Sequence, residues 1–67
     1  MLLHQLLRTI HPDCPVAIAD LNDVVLFSDR DKSLIPIDLF EENVVLVRTA
    51  VLQKWDYIPC IYIVIAK

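Results

Sequence analysis

Leu2, Leu3, Leu6, Leu7 and Ile10 recur at the spacing of one helix face, and His4, Gln5, Arg8 and Thr9 fall on the other side. This predicts a helix from about Leu2 to Ile10. Pro12 ends it, because a proline pushes the residue before it out of the α region. His11-Pro12-Asp13-Cys14-Pro15 is then a stiff connector. Val16-Ala17-Ile18-Ala19-Asp20 and Val24-Val25-Leu26-Phe27 read as two strands. Asn22-Asp23 lies between them, and both residue types tolerate the left-handed conformation of tight turns. The pair predicts a hairpin made without glycine. Ser28 to Ser33 is polar throughout and reads as a solvated loop. Pro36 is well placed to start a helical turn over about Ile37 to Glu42.

Val44-Val45-Leu46-Val47 opens a third strand running to about Ala50, and Leu52 to Tyr57 holds the next turn. Ile58 to Ala66 is the fourth strand. Cys60, Tyr62 and Val64 fall on one of its faces, and Ile61, Ile63 and Ile65 on the other. A strand apolar on both faces is either central and covered twice, or it lies at an oligomer interface. The order helix, hairpin, short helical turn, hairpin predicts an α+β fold. In it, an N-terminal helix packs on a small antiparallel sheet of about four strands. Residues 1–67 form a single domain.

Composition adds one pressure to this picture. Hydrophobic residues make up 57% of a chain of 67 residues, and glycine is absent. A domain this short buries only about 60% of the surface its unfolded chain exposes. Its interior is too small for so many Leu, Ile and Val side chains, so a surface apolar patch is expected, and such patches mark partner interfaces. Self-association is the economical outcome. Ile58, Ile61, Ile63 and Ile65 are the candidate oligomer interface, because one helix can cover only one face of the last strand.

Charge and candidate chemistry narrow the function classes. Nine acids against six bases give a net charge of −3. This disfavours DNA or RNA bound as a bulk polyanion, which requires a basic face. The longest apolar run, Ile58 to Ala66, contains Pro59 and falls far short of the ~20 residues that span a bilayer, so no membrane partner is expected. The first residues lack the basic start of a secretory signal. A cytoplasmic location is therefore expected, with Cys14 and Cys60 as free thiols. His4, His11, Cys14 and Cys60 lack the two close-spaced ligand pairs of structural zinc sites, so no metal is assigned. His11 and Cys14 could pair as base and nucleophile, but no glycine-rich turn supplies an oxyanion loop. Asp20, Asp23, Asp29 and Asp31 lack the spacing and the glycine of a calcium loop. No catalytic residue and no cofactor is assigned.

One constellation remains. Arg48, Lys54, Trp55 and Tyr57, with Tyr62, combine the residue types enriched at binding hot spots. Aromatic faces also stack on nucleobases while arginine and lysine hold phosphate. The competing reading places Tyr62 in the core and Trp55 on a loop.

Leu2-Leu3-His4-Gln5-Leu6-Leu7, then Pro12 to Asp20, then Val24-Val25-Leu26-Phe27, resemble the short uncharacterised proteins of phages and mobile elements of Gram-positive bacteria. Leu34-Ile35-Pro36-Ile37-Asp38-Leu39-Phe40-Glu41-Glu42-Asn43-Val44 is similar to their acidic Leu-Pro segment. The chain departs from their pattern at its glycine-free hairpin and in the segment Val51 to Tyr57. The resemblance implies a phage or mobile-element origin, where proteins of this size often inhibit host defence and others are accessory. With no catalytic motif in the chain, the expectation is a non-catalytic inhibitor of a host-defence component in the host cytoplasm, with a host protein or a small nucleotide as its target. The alternative expectation is a nucleotide- or nucleic-acid-binding module that sequesters its ligand through Arg48, Lys54, Trp55 and Tyr57.

Overall fold

A computed structural model of the chain describes residues 1–52 and 58–67. The elements are a helix α1 (Leu3–Leu7), strands β1 (Val16–Ala19) and β2 (Val25–Asp29), 3₁₀ turns at Lys32–Leu34 and Ile37–Leu39, and strands β3 (Val44–Val51) and β4 (Pro59–Ile65). The chain is thus an α+β protein, with one short helix and a four-stranded sheet in the order β2-β1-β4-β3.

The expected sheet and the expected helix are both corrected. The sheet is mixed rather than antiparallel: β1 pairs with β2 and β3 with β4 antiparallel, while β1 and β4 run parallel at the centre. The pairing puts β2 and β3 in the same direction at opposite edges. The segment between them must therefore cross one face of the sheet. Ile35 and Leu39 of that crossing are buried with Leu3, Ile18, Ile63 and Ile65, and Leu6, Leu7, Ile10 and Phe27 pack against them. Helix α1 is also shorter than its periodicity suggests. The Thr9 amide (2.9 Å) and hydroxyl (2.7 Å) both donate to the Leu6 carbonyl, and the Ile10 amide donates to Leu7. These short-range bonds close the helix before Ile10. At its start the Gln5 side chain accepts from the Leu2 amide at 2.9 Å, one half of a capping box.

The first hairpin forms without glycine by side-chain means. Asp20 Oδ1 accepts from the Asn22 and Val24 amides at 2.9 and 3.0 Å. Asp23 takes the left-handed conformation at φ 64°. An aspartate bonding the backbone two residues on mimics a turn, and aspartate tolerates that φ better than most residues. Strand β2 runs on to Asp29, so Ser28 and Asp29 are paired with Ala17 and Val16 rather than lying in a loop.

The proline-rich connector is held by one lysine. Lys32 Nζ donates to the carbonyls of His11 and Pro12 at 3.0 Å each and of Cys14 at 2.7 Å. Its three protons thereby satisfy three carbonyls of a segment outside any helix or strand. Lys32→Met keeps the aliphatic stem and removes these bonds. It is expected to cost about 1–2 kcal/mol, read as a lower denaturation midpoint at an unchanged slope.

Candidate interaction surface

Strand β4 lies between β1 and β3, which decides between its two sequence readings: it is central. Ile63 and Ile65 are fully buried beneath α1 and the crossing segment, and Ile61 is half-buried against the same cluster. Ile63 and Ile65 are therefore core, out of reach of a second copy, and only Ile58 of the four expected interface residues is exposed. The chain supplies two coverings for this face, the helix and the crossing segment, where the sequence suggested one helix alone.

The other face of the sheet is built around Tyr62. Its ring is buried in a cluster with Ala17, Ala19 and Cys60, against which Ala50, Leu52 and Val64 pack. Alanines at 17 and 19 leave the space that a phenol requires beside a central strand. The Tyr62 hydroxyl donates to Asp23 Oδ1 in the β1–β2 turn. That bond, with burial and the carboxylate charge behind it, raises the Tyr62 pKa. Arg48, opposite Tyr62 on β3, lies with its guanidinium 4.3 Å from the ring centroid. Burial, and then the neighbouring Cys14, push the Cys60 thiol up, so it remains protonated at neutral pH. Both cysteines are free.

Of the expected aromatic and basic site, Arg48 stands on Tyr62, whereas Lys54, Trp55 and Tyr57 lie outside the described residues. His11 is exposed, and its Nδ1 accepts from the Asp13 amide at 3.1 Å. Among the described residues no three His, Cys, Asp or Glu side chains converge as a metal site would require. An open hollow of about 270 Å³ lies between His4, Leu7, Arg8, Lys32 and Phe40, just below the ≈ 300–1,000 Å³ of small-molecule pockets. Its lysine is already committed to the carbonyls of the connector.

The β3 edge leaves a run of apolar side chains exposed. Val45, Leu46, Val47 and Val51 are 55%, 50%, 45% and 53% exposed, on a strand of eight residues. Register with β4 puts Leu46, Arg48 and Ala50 on the Tyr62 face and Val47, Thr49 and Val51 on the helix face. Among the described residues the outer side of β3 is paired only at its beginning. There Leu2 bridges Asn43, and the Val44 amide donates to Met1 at 2.8 Å. A bulge between Val44 and Leu46 separates that capped end from the regular strand.

Exposed edges in soluble proteins are ordinarily blunted by charge, proline or short length. The opposite edge, β2, follows that rule in its length and at its end: it has five residues and finishes on Ser28 and Asp29, although Val25 and Leu26 are exposed at its start. The β3 edge has Arg48 as its sole charged residue, and that side chain is drawn back over Tyr62. The sequence signal was available in Val44 to Val51, an apolar run without an acid. What it lacked was any mark that this strand, and not the Ile58–Ala66 run, is the edge.

No protein-family model matches the chain, and no curated protein or solved structure matches it. Among the described residues no helix is long and apolar enough to cross a membrane.

Proposed function

We propose that the chain is a non-catalytic interaction protein that works through its β3 edge, where another polypeptide adds a strand. The observation that supports this reading is the long apolar edge with its single charge withdrawn. Strand addition takes affinity from main-chain hydrogen bonds and specificity from alternate side chains, and β3 offers both. The apolar side chains on either side of the edge give the added strand something to pack against. The finer role, a phage-type inhibitor of a host-defence component acting in the host cytoplasm, rests on the resemblance of the sequence to small phage-borne proteins.

A photo-cross-linking side chain tests the reading in the cells that make the protein. Placed at Leu46, beside the edge, it is expected to capture a polypeptide. Placed at Ile37, which is 81% exposed on the crossing segment, it is expected to capture little. Equal labelling at both positions, or none at Leu46, would sink the proposal.

A further inference from the structure

We infer that the polypeptide covering β3 is a second copy of this chain, joined antiparallel about a two-fold axis at Thr49. This inference rests on the strand-addition reading and adds the partner and the register. The two copies form one continuous sheet, four strands from each, with β3 of each copy at its centre.

Charge favours a copy of the same chain. All nine acids lie outside Val44 to Val51, so two β3 edges meet without opposed carboxylates. The withdrawal of Arg48 over Tyr62 leaves the edge itself neutral. A foreign strand would have to match this surface by its own composition. A second β3 matches it already, residue type for residue type.

Geometry then selects the register. A two-fold axis perpendicular to the sheet requires that opposed residues share a face, so the axis passes through a residue position. The regular, uncapped part of β3 runs from Leu46 to Val51, after the bulge. An axis at Arg48 makes the two arginine positions direct cross-strand neighbours, two like charges on one face of the sheet, which is unfavourable. An axis at Val47 leaves only Leu46 to Arg48 of the regular strand in the new ladder, and pushes the rest into the bulge and the Met1–Leu2 cap. An axis at Ala50 leaves only Thr49 to Val51. An axis at Thr49 uses Val47 to Val51 in full. It sets Thr49 against Thr49, Val47 against Val51 and Arg48 against Ala50. Threonine pairs and β-branched pairs are favourable cross-strand neighbours. Leu46 falls opposite Leu52, extending the apolar contact on the Tyr62 face.

Native mass spectrometry and light scattering of the purified chain test this directly. The wild type is expected to give twice the chain mass. T49K and T49E, each alone, place like charges face to face on the axis. Each is expected to raise the dissociation constant about tenfold or more, with an unchanged circular dichroism spectrum. Mixing the two variants is expected to restore a dimer containing one of each. A second pair guards against a local effect at Thr49. V47K is expected to dissociate the dimer, and V47K/V51E to restore it, since each new lysine faces a new glutamate across the axis.

A monomeric wild type at every concentration overturns the inference. So do T49K and T49E variants that dimerise as the wild type does, or mixtures and the V47K/V51E chain that remain monomeric. These failures are separable from failure of the underlying reading. A strand captured at Leu46 whose mass is not that of this chain leaves strand addition standing and removes the second copy. An absence of capture at Leu46 removes both.

Discussion

Ile63→Ala is expected to remove most of the folding stability of the protein. Ile63 is fully buried at the centre of the sheet, paired with Ile18 on one side and Val47 on the other. Truncating a buried isoleucine to alanine costs about 2–5 kcal/mol, the transfer term plus the cavity it leaves. A core in a domain of this size supplies only about 3–5 kcal/mol in total. The two numbers are comparable, so one substitution consumes most of the stability. Loss of the cooperative urea transition, or a midpoint moved close to zero denaturant, is the expected result. The same experiment separates two accounts of the last strand. Were Ile63 an interface residue, alanine would dissociate an assembly and leave a folded monomer. Ile37→Ala, on an exposed 3₁₀ turn, is the control and is expected to change stability by less than about 0.5 kcal/mol.

Tyr62 carries the second large effect, and it can be divided into two parts. Tyr62→Ala removes the ring that packs with Ala17, Ala19 and Cys60 and is expected to cost about 3–5 kcal/mol. Tyr62→Phe retains the ring and removes only the hydroxyl bond to Asp23. Its expected cost is about 1.5–3 kcal/mol, because the acceptor is a carboxylate. The hydroxyl also sets a pH dependence. The folded-state pKa of Tyr62 is raised above its ordinary value of 10.0. The neutral phenol is therefore the form that the fold favours. Its contribution is complete below pH 10 and is lost as pH climbs through the raised native value. Denaturation midpoints of the wild type are expected to fall on that alkaline limb. Those of Tyr62→Phe should lack the component. An identical alkaline fall in both proteins would show that the Tyr62–Asp23 bond contributes nothing to folding.

How much of this was legible beforehand depends on the range of each interaction. The glycine-free turn could be read from Asn22-Asp23, since the tolerance of Asp23 for positive φ is a property of the residue itself. The two-faced character of the last strand followed from strict alternation over Cys60 to Ile65. The helix was legible as an element but not in its length, because the Thr9 hydroxyl competes for the Leu6 carbonyl within a single turn. Lys32 gave no sign that it would bind three carbonyls some twenty residues away. The pairing of Tyr62 with Asp23 was equally hidden: it spans most of the chain and depends on the alanines at 17 and 19 making room.

The sequence by itself determined the kind and order of the elements, since periodicity, proline placement and turn chemistry act over a few residues. It also determined that apolar surface would be left over, because 67 residues at 57% hydrophobic content exceed what so small an interior holds. Only the tertiary structure decided where that surplus lies. The parallel pairing of β1 with β4 carries the crossing segment over Ile63 and Ile65 and buries them. The same pairing sends Val44 to Val51 to the rim, where half of its hydrogen-bonding groups face outward. A choice between centre and edge is made by long-range strand pairing, and no local pattern encodes it.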